Sequence, residues 1–538
     1  EFFSKFTILH DRVCKNLQKL HDRVCNFAVK LHDALCKFYV ISIRIRHFKK
    51  KSVFFKGLIL RKSVFFECYF LRKSVFLKCY FLRKSVFCML KRKIYNKIES
   101  YLKEPSNKML LIDGARQIGK SYIIRSVGQS LFPNYIEINM EEDKQGERLF
   151  AEAKTIKDFY LALSSIAGDR MGDKVSTLVF IDEIQAYDHL LTLVKFLMQD
   201  DKFTYIASGS QLGITLRKTQ SIPGGYYERV RMYPLDFEEF LWANGVGELV
   251  IESMRESFND GKSLNEGLHN RIMDLLRKYL LVGGLPDAVN CFVAEQNIIE
   301  IRQIHSDIHD LYLNDAAKYE QESGRKLKVQ RIYNMIPSLM ENKKKRVVVK
   351  DIEEKSGKRI ADYEDEFEYL IASGITAECK AISQPSYPLC QNEGKNLLKL
   401  YMNDVGMLTA MLYRNNIKAV MDDECSVNLG AVYETFVADE LKAHGNDCFY
   451  YDNKKYGEVD FLVDDVKNLS TMPLEVKSGK DYKIHSALDH FLEVKNYDIH
   501  KAYVLSNERQ IFTESDITYI PIYFVMFFAS NEEPIGEW

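Results

Sequence analysis

Three runs of apolar residues in the first half of the chain have the length and composition of buried strands. They cover residues 109–112, 178–181 and 204–207, and polar or glycine residues follow each run. Helical stretches flank these runs, as at residues 122–127. Strands that alternate with helices favour a parallel sheet with helices on both faces. Such sheets bind ligands at the carboxyl ends of their strands, so the polar residues after each run are the first candidates for chemistry.

The pattern then becomes helical from residue 236 to about residue 320. From residue 326 to 379 it predicts two helical segments separated by a short strand at 346–349, a further helix at 360–373 and a strand. That order resembles a winged helix-turn-helix. The last of these helices would be the recognition helix. It is acidic, with Asp362, Glu364, Asp365, Glu366 and Glu368.

The C-terminal pattern predicts one helix, three strands, a second helix and a last strand. This is the element order of the PD-(D/E)xK, or restriction-endonuclease-like, core. The predicted helices cover residues 431–444 and 485–495, and the predicted strands cover 448–451, 458–463, 472–477 and 502–506. The α/β chain is thus divided into a basic extension, a core with the predicted parallel sheet, a helical segment, a winged-helix-like segment and a nuclease-like domain, at residues 1–88, 89–235, 236–320, 321–385 and 386–538.

Charge separates the first segment from the rest. The 538 residues contain 75 Lys and Arg and 75 Asp and Glu. Residues 1–88 hold 20 of the basic and 5 of the acidic residues, a net charge of +15, which leaves −15 for the remainder. The neutral total is therefore the sum of two unlike parts. An acidic body has no overall attraction to nucleic acid, which it would have to bind through local patches.

The basic segment is built from repeats of 11 residues. Leu-His-Asp begins at Leu9, Leu20 and Leu31, and Lys-Ser-Val-Phe begins at residues 51, 62, 73 and 84. Two unrelated units with one period are typical of tandem-repeat DNA that has been read through, and we expect the native protein to open at Met89. The alternatives are a basic arm for nucleic acid and an amphipathic arm for membranes.

Composition narrows the class of protein further. The 11 cysteines show no zinc-binding or disulfide spacing, which favours a reducing cytoplasm. The longest apolar run, residues 520–529, is about half the ~18 residues that a membrane span needs. We therefore expect a cytoplasmic protein without a membrane partner.

A phosphate-binding loop follows the first predicted strand and precedes a helix, which is the setting that this motif requires. Its glycines let backbone N–H groups converge on phosphates. Lys120 is expected to reach the β and γ oxygens, and Ser121 to supply a hydroxyl to Mg²⁺. The sequence thus predicts binding of ATP with Mg²⁺. The loop residues are Gly114, Ala115, Arg116, Gln117, Ile118, Gly119, Lys120 and Ser121.

Polar residues after the next two strands complete the predicted ATPase site. Asp182 and Glu183 end the second strand, where Asp182 would hold Mg²⁺ and Glu183 would polarise the attacking water. Ser208 and Ser210 follow the third strand, whose polar end resembles the position at which a side chain of AAA proteins senses the γ-phosphate. The pattern does not distinguish these two serines, and an ordinary turn at the strand end is the alternative.

A second candidate site lies in the nuclease-like domain. Asp460 and Glu475 would hold a divalent metal, Lys477 would position or deprotonate water, and Glu434 from the preceding helix would complete the shell. Glu475 and Lys477 share one strand face because they are two residues apart. The alternative is that these residues are structural.

Several separate motifs between residues 89 and 506 resemble one family. The chain is similar to bacterial and archaeal AAA-superfamily ATPases that carry a C-terminal domain of unknown function related to PD-(D/E)xK nucleases. The motifs are Arg116-Gln117, Asp182-Glu183-Ile184-Gln185, YPLDFEEFL at 233–241, YLLVGGLPD at 279–287, KLYMNDVGML at 399–408 and ETFVADEL at 434–441.

The chain departs from this family at one point. Members place a basic residue after a glycine ahead of the YPL motif, where this chain has Gly225-Tyr226. Such a residue could act on the ATP of a neighbouring subunit, and Arg229 and Arg231 are close enough to substitute.

The sequence therefore predicts a Mg²⁺-dependent ATPase that couples nucleotide state to a winged-helix and nuclease-like module, plausibly acting on DNA, as a possible homo-oligomer. A nucleotide-gated regulatory switch and a DNA-binding ATPase, each with an inactive nuclease-like domain, are the alternatives.

Overall fold

The computed structural model describes residues 90–528 except 105, 219–223, 320–322, 343–344, 354–358, 423–428, 480, 495 and 498. The predicted repeat arm and the predicted start at Met89 lie outside the described residues, as do Lys343 and Lys344 of the basic run before Arg346.

Five parallel strands form the sheet of the first domain, in the order β2-β3-β4-β1-β5. The inner strands β1, β3 and β4 are buried along their whole length, while the edge strands β2 and β5 are only partly buried. This confirms the predicted α/β class with a parallel-sheet core. The strands are β1 (Met109–Asp113), β2 (Asn134–Asn139), β3 (Thr177–Asp182), β4 (Thr204–Gly209) and β5 (Tyr227–Arg231).

Helices connect these strands and place their N-termini near the carboxyl edge of the sheet. The first helix after β1 starts directly at Lys120, so the phosphate-binding loop lies between a buried strand and a helix N-terminus. The helices are α1 (Ile94–Lys103), α2 (Lys120–Leu131), α3 (Met140–Gln145), α4 (Ile156–Ala167), α5 (Asp188–Asp200) and α6 (Leu212–Lys218).

The middle of the chain is helical, as its periodicity predicts. The apolar residues Ile272, Leu275, Leu276, Tyr279 and Leu280, which recur at helical spacing, are all buried. None of the helices within the described part of the chain is both long and apolar enough for a bilayer crossing. The helices are α7 (Phe237–Ala243), α8 (Glu248–Asp260), α9 (Glu266–Val282), α10 (Pro286–Glu295), α11 (Ile298–Tyr319) and α12 (Ser323–Glu341).

The segment expected to form a winged helix differs from that expectation. The predicted strand at 346–349 is not formed: α13 (Val349–Ile352) starts there, and α14 (Glu364–Ala372) follows. The next two strands, β6 (Thr376–Ile382) and β7 (Glu393–Met402), pair with each other, and β6 also pairs in parallel with the C-terminal strand β8. The predicted domain boundary between residues 385 and 386 therefore falls inside one sheet, because apolar periodicity identifies a strand but not its partner.

The C-terminal domain contains this mixed sheet of eight strands, in the order β12-β13-β11-β10-β9-β8-β6-β7. Its predicted helices and strands occur with ends shifted by at most three residues, while β12 and β13 were not predicted. After α15 (Val405–Tyr413) and α16 (Lys418–Met421), the elements are α17 (Gly430–Ala443), β8 (Phe449–Asn453), β9 (Gly457–Asp465), β10 (Ser470–Lys477), α18 (Ser486–Leu492), β11 (Ala502–Ser506), β12 (Phe512–Glu514) and β13 (Ile517–Pro521).

Candidate functional site

The phosphate-binding loop makes a sharp turn between β1 and α2. Gly114 and Gly119 adopt φ angles of 150° and 92°. A Cβ atom at Gly114 would lie 2.3 Å from the carbonyl oxygen of Met232, so no larger residue fits there. Ile118 packs into the core, whereas Gln117 is exposed. The loop therefore presents its backbone at the N-terminus of α2, where N–H groups favour anions.

Lys120 is the first residue of α2 and is buried. Its Nζ donates hydrogen bonds to the carbonyl oxygens of Gly114 at 2.9 Å and Ala115 at 2.7 Å. Burial lowers the pKa of Lys120, and the negative charge of Glu183 opposes that shift. The ammonium group is thus held over the loop by two carbonyl groups that an anion could replace.

Asp182, at the end of β3, receives a hydroxyl from each side. Ser121 Oγ donates to Asp182 Oδ2 at 2.9 Å, and Ser208 Oγ donates to Oδ1. Burial raises the pKa of Asp182, although both hydrogen bonds favour the carboxylate. A hydroxyl beside a carboxylate oxygen is the donor set that Mg²⁺ takes together with phosphate oxygens, so these residues fit the predicted ion.

Glu183 has a left-handed backbone conformation, with φ 52° and ψ 45°. Its Oε2 accepts hydrogen bonds from the backbone N–H of Ser210 at 3.1 Å, from Ser210 Oγ at 2.9 Å and from Gln185 Nε2. Burial favours the protonated form, but the charge of Lys120 and the bond from Gln185 keep the pKa of Glu183 below its ordinary value. The side chain is therefore an ionised base in a half-buried setting.

The two serines that the sequence left equivalent have different partners. Ser208 binds Asp182, whereas Ser210 binds Glu183 through both its amide and its hydroxyl. Each serine thus fixes the orientation of one carboxylate of the acidic pair.

Arg116 extends the site toward the helical middle region. Its Nε lies 3.3 Å from Ser210 Oγ and 2.8 Å from Asp315 Oδ2 on α11. From the same helix, Tyr312 donates its hydroxyl to the carbonyl oxygen of Arg116 at 2.9 Å. No sequence signal marks Tyr312 or Asp315, which are separated from the loop by about 200 residues.

Arg229 and Arg231, the two candidates for action on a neighbouring subunit, bind within their own chain. Both contact the fully buried carboxylate of Asp113, with Arg231 Nη2 at 3.0 Å. Arg231 also donates to the carbonyl oxygen of Ala372, at the end of α14. Asp113 directly precedes Gly114, so a charged residue at the end of a buried strand was the overlooked signal.

The four predicted residues of the C-terminal site come together on α17, β9 and β10. Asp460 Oδ2 accepts the backbone N–H of Val476 at 2.9 Å, and Lys477 Nζ lies 2.9 Å from Glu475. Burial, followed by the charge of Asp460, raises the pKa of Glu475 to about 8 and also raises the pKa of Glu434. The cluster therefore combines the acidic residues that the nuclease-like pattern requires.

Two further lysines, which the sequence analysis did not assign to this site, pair with its acidic residues. Lys345, from the turn after α12, forms an ion pair with Glu434, and the fully buried Lys399 lies 2.6 Å from Glu458. In the described part of the chain, no three or more His, Cys, Asp or Glu side chains are arranged to hold a metal ion. The carboxylates thus face ammonium groups in this arrangement, which fits a divalent metal poorly.

Charged residues of the predicted winged-helix segment also have partners within the chain. Arg346 pairs with Asp452 at 3.3 Å, and on the acidic helix α14 Glu366 pairs with Lys328 at 3.9 Å. The end of α14 packs on the ATPase core: Tyr369 accepts a hydrogen bond from Gln211 at 3.2 Å. The expected recognition helix is therefore a contact between domains.

Sequence comparison identifies three families along the chain. A family described as AAA domain matches residues 106–241, and two domains of unknown function, DUF8612 and DUF4143, match residues 273–418 and 429–525. No curated protein matches the chain significantly. Residues 106–241, which contain the phosphate-binding loop and the acidic pair, thus match an AAA domain.

Solved structures with partial similarity include an ATPase and a branch migration motor. The Walker-type ATPase of Pyrococcus abyssi shares 15% identity with a TM-score of 0.38, over 60% of this chain and 96% of its own. The RuvB Holliday junction branch migration motor of Thermotoga maritima shares 16% identity with a TM-score of 0.25, over 54% of this chain and 89% of its own.

Proposed function

We propose that the AAA-type domain binds ATP with Mg²⁺ and hydrolyses it to ADP and phosphate. The observation that carries this proposal is the convergence of Lys120, Ser121 and the pair Asp182 and Glu183 at the carboxyl edge of the parallel sheet. These residues supply a cation, a hydroxyl, a metal-binding carboxylate and an ionised base. That is the set of groups that phosphoryl transfer to water requires.

Each residue has a separate role in the proposed reaction. Lys120 exchanges its two carbonyl partners for phosphate oxygens, and the loop amides hold the remaining phosphate charge. Ser121 and Asp182 would hold Mg²⁺, which when bound neutralises charge on the phosphates. Glu183 orients a water and accepts its proton, while Ser210 fixes the Glu183 carboxylate in position.

Release of phosphate and binding of fluorescent ATP test the proposal. We expect Lys120→Ala to lose both, and Glu183→Gln to keep ATP binding while hydrolysis falls by about 10²-fold or more. Lys278→Ala is a matched control, because Lys278 pairs on a helix surface with Asp274. Unchanged binding and turnover in Lys120→Ala would refute the proposal.

We also propose that nucleotide state acts on the middle and C-terminal regions, as in a regulatory switch. Contacts from both regions support this. Tyr312 of α11 donates a hydrogen bond to the phosphate-binding loop, and Glu440 of α17 accepts one from the backbone N–H of Phe237 at 2.7 Å. Limited proteolysis of Glu183→Gln with ATP, with ADP and without nucleotide tests it. Identical cleavage patterns in the three states would contradict such a switch.

For the C-terminal domain we propose a nuclease-like fold whose acidic cluster is structural. Ion pairs of Lys345 with Glu434 and of Lys477 with Glu475 support this. Metal-dependent cleavage of DNA is the second candidate function, favoured by the approach of Glu434, Asp460 and Glu475. Single- and double-stranded DNA and RNA, incubated with Mg²⁺ or Mn²⁺ and with or without ATP, separate the two. Cleavage by the parent that is lost in Lys477→Ala would establish the nuclease.

A homo-oligomer is the state in which an arginine could act in trans. Because Arg229 and Arg231 hold Asp113 in their own chain, we propose that the site works without them as trans-acting groups. Mixing Lys120→Ala with Arg231→Ala tests this. We expect no recovery of turnover in the mixture, whereas recovery would show that Arg231 of one subunit acts on the ATP of another.

A further inference from the structure

Arg116 is the one arginine of the phosphate-binding loop, and its side chain lies between the reaction site and α11. Its Nε is 3.3 Å from Ser210 Oγ, and the same hydroxyl is 2.9 Å from Glu183. Lys120 and Arg116 are both cations that lower the pKa of Glu183. The guanidinium group therefore lies close to the base that faces the terminal phosphate in the proposed reaction.

The partner of Arg116 belongs to a different part of the molecule. Asp315 Oδ2 is 2.8 Å from Arg116 Nε, and the side chains are 8% and 19% exposed. Tyr312 lies one helical turn before Asp315 on the same face of α11 and holds the Arg116 carbonyl group. The helix α11 thus binds both the backbone and the side chain of Arg116.

A small, solvent-open pocket lies beside this contact. Arg116, Ser210, Tyr312, Asp315 and Tyr369 line it, and its volume of about 10 Å³ holds one water molecule at most. Tyr312 is buried and also packs edge-on against Tyr333 of α12, with ring centroids 6.5 Å apart. If Arg116 turned toward a ligand, it would therefore give up its contact with Asp315 of α11.

We propose that Arg116 distinguishes ATP from ADP: its guanidinium leaves Asp315 to bind the terminal phosphate of ATP, and this exchange loosens α11 from the phosphate-binding loop. The inference rests on the proposed function, since it needs ATP at this loop. Arginine keeps its charge and binds phosphate with two parallel hydrogen bonds, so the terminal phosphate competes directly with a carboxylate. ADP lacks that phosphate and leaves the pair with Asp315 intact.

Binding measured without hydrolysis tests the first half of the proposal. In the Glu183→Gln chain we expect Arg116→Ala to weaken ATP binding about tenfold or more, with ADP binding within about twofold of the parent. Asp315→Asn removes the competitor, so ATP should bind about fivefold or more tightly. Arg125→Ala is the matched control, because Arg125 forms a similar pair with Glu137 on α2 and β2. Thermal unfolding without nucleotide verifies that each variant folds.

Hydrogen exchange of the α11 amides tests the second half. ATP, and not ADP, should speed exchange in α11 of Glu183→Gln, and Asp315→Asn should exchange faster with no nucleotide present. Equal loss of ATP and ADP affinity in Arg116→Ala would overturn the proposal, as would exchange in α11 that is the same with ATP and ADP. Absence of any nucleotide binding by the parent chain would instead refute the proposed function.

Discussion

Ser121 Oγ lies 2.9 Å from Asp182 Oδ2, although 61 residues separate them in the chain. The contact follows from the sheet: β1 and β3 both flank β4 in parallel, so the loop after β1 and the end of β3 meet at one edge. Ser121 is in the first turn of α2, which starts above that edge. The hydroxyl and the carboxylate therefore lie side by side because the sheet brings the ends of their two elements together.

Replacing Asp182 by asparagine should weaken Mg²⁺-dependent turnover without lowering the unfolding temperature. The amide supplies a weaker ligand, so we expect turnover to fall about 100-fold and the Mg²⁺ concentration for half-maximal rate to rise. Because burial raises the pKa of Asp182, loss of the charge should not lower the unfolding temperature. A Mg²⁺ titration of turnover and a thermal melt measure both effects. Asp274→Asn, at an exposed helical pair, is the control; a lower melting temperature only in Asp182→Asn would count against this interpretation.

Ser210→Ala and Ser208→Ala should affect different steps. Ser210→Ala removes one donor to Glu183 and leaves the backbone amide, so we expect kcat to fall about tenfold with KM within about twofold. Ser208→Ala removes a donor to Asp182 and should shift the Mg²⁺ dependence instead. Steady-state kinetics at several Mg²⁺ concentrations distinguish them. The same change of kcat and of Mg²⁺ dependence in both variants would mean that Ser208 and Ser210 do not position Asp182 and Glu183 separately.

The parts that could be predicted from the sequence are those encoded locally. The loop from Gly114 to Ser121 and the acidic pair after β3 are short motifs whose spacing fixes their chemistry, and alternating strands and helices predict a parallel sheet. The C-terminal elements were predicted for the same reason: residues 502–506, for example, are β11. Each of these inferences needs only residues that are neighbours along the chain.

The parts that could not be predicted depend on partners far apart in the chain. Pairing of β6 with β8, contact of Asp315 with Arg116 and the ion pair of Lys345 with Glu434 each join segments about 70 to 200 residues apart. Apolar periodicity does not specify which strand lies next to which, and a single charged residue does not indicate which residue it will pair with. A charge within a buried element, as at Asp113, is nonetheless a usable signal, because it requires a partner.

Asp404 should make stability depend on pH. It caps α15 and accepts the backbone N–H of Gly284 at 2.6 Å and of Met407 at 2.8 Å. Burial raises its pKa from 3.8 to about 6, although these hydrogen bonds oppose the shift. The folded state thus holds the proton more tightly than the unfolded state. Its contribution to stability is complete below pH 3.8 and is lost as pH rises through 6.

Asp404→Asn should remove this dependence. Relative to the variant, the parent is expected to lose on the order of 3 kcal/mol of unfolding free energy across that interval. Urea unfolding of both proteins between about pH 3 and pH 7.5, which covers both pKa values, measures the difference, and Asp274→Asn serves as a control at an exposed carboxylate. Parallel stability curves for the parent and Asp404→Asn would show that Asp404 does not hold its proton in the folded state.

Lys345→Ala tests whether the acidic cluster is structural. Removing the ammonium group leaves Glu434, which is 3% exposed, without its ion-pair partner beside Asp460. Loss of one partner of a buried pair typically costs about 3 kcal/mol of unfolding free energy. We therefore expect a clearly lower unfolding temperature at neutral pH. Lys442→Ala is the matched control, because Lys442 has the same 17% exposure but pairs with an 80% exposed carboxylate, that of Asp447.

Divalent cations then separate the two interpretations of that variant. If the carboxylates repel one another once Lys345 is gone, Mn²⁺ or Mg²⁺ should raise the unfolding temperature of Lys345→Ala and leave that of the parent unchanged, because the cation replaces the ammonium charge. Stabilisation of the parent by the same ions that persists in Asp182→Asn, where the ATPase site lacks its metal-binding carboxylate, would instead indicate that metal displaces Lys345 in the native protein. That result would favour the nuclease hypothesis. A cluster in which a metal ion can replace the Lys345 ammonium group has the ligands that hydrolysis of a phosphodiester requires.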